Sequence, residues 1–400
     1  MSLKEKKYFI FYLIFLFICG VIFLFNKYNV QNNWTISEWL INFEGGFTRR
    51  GFLGQIAFEV AKFFNIQIRS AILLIQTISY LIFIILIYNF LKNTKINFLS
   101  RLSIYVSIFL LYPVAEVESL VRKETIIFIL FIIFLLFASK KSNKNYCNIY
   151  VFFIFPVAFF IYEPVIFFLP YIWFILFQIN KKKNILKTFL KTFLLISPSI
   201  FSFIFIISNP ISNAGHEKMC LSLMTNFKEE CGMALNLLIS KSGVLQQFQA
   251  NIEFYKISYI LRYAIIILIG FMPLFILSAN SKFKNKNLIF NFKSFLPIIL
   301  ILLFLSLIFL TAMQDWGRAI NIIYTFSILT YFFLINNNYL ILDKGRFYSM
   351  LEKIFDNNKY YYVLFFFYCF SWNMKTLMSE KIGSFPIYRI VTKIIKILIN

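Results

Sequence analysis

The sequence predicts an all-α fold, a polytopic transmembrane helical bundle, and three observations support this class. Of the 400 residues, 60% are apolar and only 14% are charged, far less charge than a soluble domain carries. Runs such as 126–137 and 298–310 are apolar on every face. The strict apolar-polar alternation of an outer-membrane barrel is absent. We therefore expect a single integral membrane domain, 1–400, with about eleven spans.

The spans are apolar stretches long enough to cross the hydrocarbon core, which takes roughly 17 to 25 helical residues. They are predicted in order at 8–25, 70–91, 98–115, 125–138, 146–162, 164–179, 188–208, 259–279, 295–312, 318–335 and 360–376. The first has a basic start but no small-residue cleavage site before Asn26. It therefore reads as an uncleaved anchor rather than a signal peptide.

Lysine clusters predict which connections are cytoplasmic, because basic residues beside spans stay inside. Beyond the N-terminus, the clusters are Lys92/Lys95, Lys140/Lys141/Lys144, Lys181/Lys182/Lys183, Lys282/Lys284/Lys286 and Lys344/Arg346. Most carboxylates then face outward, and the net charge of +23 is largely an insertion signal, so no nucleic-acid partner is expected. The pattern predicts a multi-pass protein of the bacterial inner membrane, in contact with membrane lipids, with a cytoplasmic N-terminus.

The side of the C-terminal tail stays open at this stage. Its basic residues, Lys381, Arg389, Lys393 and Lys396, fit a cytoplasmic tail, whereas eleven spans would place it outside. The stretch from Ile387 to Ile399, with its basic residues on one side, suits a helix in the headgroup plane of either face.

Three elements are predicted on the periplasmic, or outer, side. Residues 26–69 form a loop with short interfacial helices around Gly45-Gly46, and 209–258 form the large periplasmic loop. Tight turns at 116–124, 162–164 and 314–318 complete the set.

The large loop 209–258 contains His216, Cys220 and Cys231. Because the periplasm is oxidising, a Cys220–Cys231 disulfide is predicted. With one histidine and no Cys-x-x-Cys in the chain, no metal site of the His/Cys kind is expected. A lone histidine in a polar loop is most often a plain loop residue, and the alternative is a role in the site.

The most informative polar stretch, Glu44-Gly-Gly-Phe-Thr-Arg49-Arg50-Gly51-Phe-Leu-Gly54, lies in the loop 26–69. Glycines allow positive φ and close backbone approach, and arginines present fork-shaped donors suited to phosphate oxygens. The pattern indicates an anionic or lipid-pyrophosphate site, with Glu44 as a catalytic or sugar-orienting carboxylate. The alternative is a glycine turn whose arginines snorkel to lipid phosphates, but two adjacent outer arginines oppose the positive-inside trend.

A second charged segment, Glu116-Val-Glu118-Ser-Leu-Val-Arg122-Lys123-Glu124, begins a span. If it is helical, Glu118 and Arg122 are one turn apart and form an i,i+4 pair. A solvated helix end explains the segment equally well.

Tyr162-Glu163-Pro164 joins two predicted spans by a hairpin with almost no loop. Its phenylalanine neighbours predict a partly desolvated Glu163, the environment that a general acid or base needs. The alternative is that Glu163 caps the next helix beside Pro164.

The last candidate, Asp315-Trp-Gly-Arg318, offers a carboxylate, an interfacial aromatic residue and an arginine at one rim. The alternative is an Asp–Arg pair with a tryptophan that anchors the helix at the interface. No Ser-His-Asp spacing, phosphate-binding loop, dinucleotide fingerprint or kinase motif accompanies these stretches.

In length, low charge, lysine-rich inner turns and acid/arginine outer turns, the chain resembles the Wzy-type O-antigen and capsule polymerases of bacterial surface-polysaccharide loci. The Glu44–Gly54 and Asp315–Arg318 stretches are also similar to outer-loop signatures of membrane proteins from such loci. The resemblance implies transfer of a growing glycan from undecaprenyl pyrophosphate onto the next lipid-linked repeat unit at the periplasmic face. No cofactor is implied, and a chain-length regulator is a further partner.

That chemistry needs cations at the leaving pyrophosphate and a base at the acceptor hydroxyl. The resemblance implies that Glu44, Glu163 and Asp315 are base or sugar-positioning residues. It implies a second group that binds pyrophosphate or glycan: Arg49, Arg50, Arg122, Lys123, Arg318 and His216. In one respect the chain departs from the family, whose two outer loops are rich in arginine: the loop 209–258 contains none.

Two rival functions share parts of this pattern. A GT-C-type glycosyltransferase that uses a polyprenyl-phosphate sugar also places a carboxylate in the first outer loop, usually within a paired acidic motif. A flippase for lipid-linked sugars is expected to carry charge at mid-depth in its spans. Here the spans carry almost none and the acids gather on one face, which favours an outer-face enzyme.

Overall fold

In the part of the chain that the structure, a computed structural model, describes, seven helices are long and apolar enough to cross a membrane, and three further apolar helices are shorter. The structure describes residues 1–400 except 31–32, 141–142, 182–183, 241–243, 285–291, 344, 356–358, 379–382 and 400. Most of these described residues are helical, and the strands are only two or three residues long. The predicted all-α, polytopic class is confirmed, and the chain is a multi-pass membrane protein. Six lysines used in the topology prediction lie outside the described residues: Lys141, Lys182, Lys183, Lys286, Lys344 and Lys381.

The α-helices of the described part differ widely in length, from single turns to long apolar spans. In chain order they are α1 Leu3–Asn29, α2 Trp34–Ser37, α3 Gly51–Phe64, α4 Ile68–Leu91, α5 Phe98–Tyr105, α6 Tyr112–Ala115, α7 Glu124–Ser139, α8 Lys144–Ile149, α9 Val157–Ile161, α10 Leu169–Asn180, α11 Ile185–Ser208, α12 Asn213–Phe227, α13 Leu237–Ser240, α14 Val244–Ile252, α15 Ile257–Ala279, α16 Leu296–Leu307, α17 Trp316–Asn336, α18 Arg346–Phe355, α19 Lys359–Phe370 and α20 Pro386–Ile399.

The described part of the chain also contains short non-α turns and strands. Turns of 3₁₀ helix cover Val117–Ser119, Glu163–Phe168 and Ile308–Ala312, and a π-helical turn covers Tyr150–Ile154. Strand β1, Ser281–Phe283, pairs antiparallel with β2, Leu340–Leu342. Strand β3, Trp372–Asn373, pairs antiparallel with β4, Gly383–Ser384.

The chain divides into two compact units. Unit 1 comprises Met1–Leu16, Tyr88–Val117 and Phe254–Asn400, and unit 2 comprises Phe17–Ile87 and Glu118–Glu253. Helices α1 and α4 contribute residues to both units.

One predicted span, 98–115, is not a continuous helix. Helix α5 ends at Tyr105 and α6 begins at Tyr112, with Pro113 in its first turn, where a missing N–H is tolerated. The intervening backbone is buried, and the amide of Asn321 on α17 donates to the Ile108 and Phe109 carbonyl oxygens at 2.7 and 2.9 Å. The Asn321 side chain therefore gives these carbonyl groups the hydrogen bonds that lipid tails cannot provide.

The last predicted span, 360–376, is also shorter than expected. Helix α19 ends at Phe370, and the chain then enters strand β3. The other nine predicted spans correspond to helical segments, some of which include a 3₁₀ or π turn.

One end of unit 1 gathers connections that carry predicted cytoplasmic charge. The Met1 ammonium donates to the Thr94 carbonyl, and Asn336 Nδ2 donates to Thr94 Oγ1 at 2.9 Å. The N-terminus, the turn 92–97 and the C-terminal end of α17 therefore lie together, as the lysine pattern predicts. Which face of the membrane this end occupies stays a prediction.

Within unit 1, residues of two predicted outer turns, 314–318 and 116–124, contact the C-terminal part of the chain. The Gly317 amide donates to the Thr376 carbonyl at 3.1 Å, and the Met378 amide donates to the Gln314 carbonyl at 3.2 Å. Arg389 on α20 pairs with Glu116. The 314–318 turn thus packs on the segment that follows α19, and α20 packs on α6.

In unit 2 the predicted outer elements meet one another. Three ion pairs join them: Lys27 with Glu118, Arg50 with Glu163 and Arg69 with Glu229. The large loop 209–258 is more regular than expected, because three helices, α12, α13 and α14, lie within it.

Candidate anion site in unit 2

The two arginines of the glycine-rich stretch stand at the start of α3. Arg50 is the N-cap residue and adopts a left-handed backbone conformation, with φ of 62°. A non-glycine residue rarely adopts this conformation unless its surroundings hold it there. Helix α3, which follows Arg50, packs closely against the chain at Ile41. A Cβ on Gly54 of this helix would lie only 1.8 Å from the Ile41 carbonyl oxygen.

The Arg50 guanidinium forms a two-pronged pair with Glu163. Its Nε lies 2.8 Å from Glu163 Oε2 and its Nη2 lies 2.8 Å from Oε1. The carbon of the guanidinium also lies 5.0 Å from the centroid of the Tyr162 ring, within cation–π range. Helix α3 packs on α9, whose C-terminus leads directly into Tyr162 and Glu163. This packing explains why residues 113 positions apart meet.

A second carboxylate, Glu38, links Arg50 to Arg122. Its Oε1 lies 3.3 Å from Arg50 Nη1, and its Oε2 lies 2.8 Å from Arg122 Nε. The Glu38 side chain is only 1% exposed, so its charge depends on these partners. The sequence prediction did not include Glu38. The signal was an acid between Trp34 and Ile41 in a stretch that is otherwise mostly apolar.

Lys123 contacts the same group of residues through the Arg50 backbone. It is fully buried, and its ammonium donates to the Arg50 carbonyl oxygen. Burial lowers the pKa of Lys123 to about 7, although the carboxylates of Glu38, Glu163 and Glu124 oppose this shift. Its charge therefore changes near neutral pH.

Arg49 lies at the edge of this group, with longer contacts. Its Nη1 is 3.9 Å from Glu163 Oε1, and its Nη2 is 3.5 Å from the Leu237 carbonyl oxygen. Burial lowers the pKa of Arg49, with Glu163 opposing the shift and Arg50 adding to it. For Arg50, burial acts in the same direction, but Glu163 and Glu38 outweigh it and raise the pKa.

We call these seven side chains the arginine cluster: Arg49, Arg50, Arg122, Lys123, Glu38, Glu163 and Glu124. Its basic members exceed its carboxylates by one charge when Lys123 is protonated. Among the described residues, α3 has no side-chain N-cap hydrogen bond, so its positive end adds to the field of the cations. The cluster offers fork-shaped donors beside a helix N-terminus, an arrangement suited to phosphate oxygens.

The i,i+4 pair expected between Glu118 and Arg122 is wrong. Val121 has a φ of 42°, and the segment is a 3₁₀ turn followed by an irregular step before α7 begins at Glu124. The two side chains therefore do not share a helical face. Glu118 instead pairs with Lys27, and Arg122 pairs with Glu38.

Glu44 has a different environment from Glu163. Its Oε1 accepts from Gln55 Nε2 at 3.1 Å, and its Oε2 accepts from Ser222 Oγ at 3.5 Å. Gln55, which the sequence prediction did not include, also accepts from the Phe43 amide at 2.8 Å and so fixes the turn. Within the part of the chain that the structure describes, no basic group pairs with Glu44. Its carboxylate is half-buried and held by neutral donors.

The backbone at Gly45, next to Glu44, lies close to α12. A Cβ on Gly45 would lie 1.8 Å from the Gly215 carbonyl oxygen, so only glycine allows this contact. The predicted disulfide is confirmed: Cys220 and Cys231 are bonded, with Cα atoms 5.2 Å apart.

His216 lies beside the disulfide, and its side chain is not a member of the arginine cluster. Its Nε2 is 3.6 Å from Cys220 Sγ and 3.8 Å from Cys231 Sγ. These atoms are close enough to hold a metal ion together, but sulfurs in a disulfide are not thiolates and do not ligate in that way. The structure therefore places the His216 ring against the disulfide.

Asp315 and Arg318 belong to unit 1. Asp315 Oδ2 lies 3.2 Å from Arg318 Nη2, and Arg318 is buried at the start of α17. Trp316 lies between them in sequence and packs against the rings of Tyr255 and Tyr263. The structure thus shows the Asp–Arg pair that the simpler interpretation predicts, and it buries Trp316 against two tyrosines.

Comparisons of the chain with protein-family models, with curated proteins and with solved structures find no match.

Proposed function

We propose that this protein is a polymerase that joins undecaprenyl-pyrophosphate-linked oligosaccharide repeat units at the periplasmic face of the bacterial inner membrane. The observation that supports the proposal most directly is the arginine cluster. Arg49 and Arg50 come from one predicted outer element, and Arg122 and Lys123 come from another. Their convergence beside the start of α3 supplies the cations that a pyrophosphate leaving group requires.

Within this proposal the arginines differ in role. Arg50 and Arg122 are held by Glu163 and Glu38 at 2.8 Å, so they set the shape of the cluster. Arg49 makes the longer contacts at its edge. We assign Arg49 to direct contact with the pyrophosphate oxygens, and Arg50 to both contact and positioning.

The acceptor hydroxyl needs a base, and Glu44 fits this role better than Glu163. A base must release its electron pair to a proton, and both oxygens of Glu163 already accept from Arg50. The oxygens of Glu44 accept only from a neutral amide and a hydroxyl among the described residues. Asp315 pairs with Arg318, so Glu44 is the base that we propose.

Deletion of the gene in its bacterial host tests the function. We expect lipopolysaccharide, or the equivalent surface glycan, capped with a single repeat unit in place of a polymer ladder. Complementation with Arg49→Ala should fail, with a loss on the order of 10²–10³ in rate, while Lys218→Ala, an exposed basic residue of α12, should complement fully. Glu44→Gln should also fail, because the amide retains the shape but not the basicity.

A GT-C-type glycosyltransferase is the second candidate, favoured by one observation. The half-buried Glu44 carboxylate lies in the first predicted outer loop, where such enzymes place their catalytic acid. The same deletion separates the two functions. A strain that lacks even the single repeat unit would favour the glycosyltransferase.

A further inference from the structure

A second group of basic side chains lies in unit 1, around Glu116. Glu116 Oε1 accepts from Asn373 Nδ2 at 2.9 Å, from Lys375 Nζ at 3.4 Å and from Arg389 Nη1. On the next turn of α20, Lys393 Nζ donates to the Ala115 carbonyl oxygen at 3.3 Å. We call Glu116, Asn373, Lys375, Arg389 and Lys393 the tail cluster.

The tail cluster has more positive charge than its own carboxylate balances. Two cations, Lys375 and Arg389, share the Glu116 carboxylate, and they keep 29% and 22% of their side chains exposed. They are therefore accessible to a further anion without breaking their present contacts. A guanidinium and ammonium groups are donors that proteins use for phosphate oxygens.

The helix that carries two of these cations also has an exposed apolar stripe. Tyr388, Val391, Ile395 and Ile399 recur at helical spacing and are 69%, 43%, 47% and 77% exposed. The opposite side of α20 is buried at Ile390. Basic side chains next to an exposed apolar stripe are the pattern of a helix that lies in the headgroup region of a bilayer.

We propose that the tail cluster binds the phosphate of an anionic phospholipid, whose acyl chains lie along the apolar stripe of α20. Arg389 and Lys393 contact the phosphate, and Lys375 completes the donors, while the buried Asn373 amide holds Glu116 in place. Charge complementarity selects an anionic headgroup over a zwitterionic one, and the apolar stripe selects a lipid over free phosphate. This site is independent of the polymerase proposal, because it lies in unit 1 and uses none of the arginine cluster.

Native mass spectrometry of the full-length protein in detergent tests the site. The probes are phosphatidylglycerol, phosphatidylcholine with the same acyl chains, and inorganic phosphate. We expect phosphatidylglycerol to bind more tightly than phosphatidylcholine, and inorganic phosphate not to be retained. Equal binding of the two lipids, or retention of inorganic phosphate as strong as that of phosphatidylglycerol, would overturn the proposal.

Matched variants locate the binding. Arg389→Gln with Lys393→Gln should weaken phosphatidylglycerol binding roughly thirtyfold, from two lost juxtamembrane charges. The control, Lys218→Gln with Lys353→Gln, removes the same charge from two exposed lysines that lie on other helices and should leave binding within about twofold. An equal loss in the control would show diffuse attraction and contradict a defined site.

A second variant guards against a folding defect in the first. Val391→Ser with Ile395→Ser keeps every contact of Glu116 and changes only exposed side chains. We expect it to weaken both lipids, because it removes the apolar surface that the acyl chains use. Unchanged binding in this folded variant would overturn the assignment of the acyl chains to α20.

Discussion

Arg50 and Glu163 form a two-pronged ion pair across 113 residues of sequence, with Nε–Oε2 and Nη2–Oε1 both at 2.8 Å. The pair joins the glycine-rich loop to the turn between two apolar segments. Because both side chains are mostly buried, removal of one partner leaves a charge that the remaining contacts satisfy only in part.

We therefore expect Glu163→Gln to destabilise the protein by on the order of 3–5 kcal/mol. Thermal unfolding in detergent would measure the shift. Asp343→Asn is the matched control, because Asp343 and its partner Lys282 are at least half exposed and such pairs contribute about 1 kcal/mol or less. Equal shifts in the two variants would show that the buried pair has no special structural role.

The ionisation of Lys123 predicts a pH dependence of stability. Between about pH 7 and the ordinary lysine value of 10.5, the unfolded chain binds a proton at this residue that the folded chain does not. The contribution of Lys123 to the free energy of unfolding should therefore rise with pH across that window, by at most about 1.4 kcal/mol per pH unit. Below about pH 7 this contribution should not change with pH. Melting curves of Lys123→Met should lack this slope.

The exposed Lys218 provides the control for that experiment, since Lys218→Met should retain the slope of the parent protein. An identical slope in Lys123→Met would assign the pH dependence to other groups.

The interruption between α5 and α6 makes Asn321 important for stability. Asn321→Leu preserves the side-chain size but leaves the Ile108 and Phe109 carbonyl groups buried without this donor. We expect a loss of about 1–3 kcal/mol for the unsatisfied groups, measured by thermal unfolding. The exposed Asn226 of α12 serves as the control, and Asn226→Leu should change stability far less. A neutral Asn321→Leu would mean that the interrupted backbone finds other donors.

The contacts of the tail predict its topology. Because Arg389 pairs with Glu116 and Met378 bonds to Gln314, the C-terminus should occupy the same compartment as the 314–318 turn. Alkaline phosphatase fused after Asn400 and at residue 315 should give the same result, and fusion at residue 95 should give the opposite one. Activity at 95 and 400 together would contradict the arrangement.

The sequence predicted the helical class and most spans because lipid requires long apolar helices, which leave a strong signal. It also located Arg49, Arg50 and Glu163, since charge beside apolar segments is costly and easily recognised. It could not select their partners. Arg122 binds Glu38 rather than Glu118 because the backbone at Val121 is left-handed, and such a conformation has no reliable sign in one sequence.

The interruption of the span 98–115 was missed for a similar reason. Its residues are apolar, so hydropathy alone predicts a continuous helix. The side chain that makes the break tolerable, Asn321, lies more than two hundred positions away. Long-range satisfaction of backbone groups is a property of packing, which periodicity does not report.

The left-handed backbone of Arg50 has a consequence for how tightly an anion can bind. Lys123 fixes its carbonyl, Glu163 and Glu38 fix its guanidinium, and Gly54 fixes the helix behind it. The rotamer freedom that an arginine normally loses when it grips a ligand has thus already been lost on folding. Binding to such a preorganised donor costs less conformational entropy than binding to a mobile arginine of equal charge.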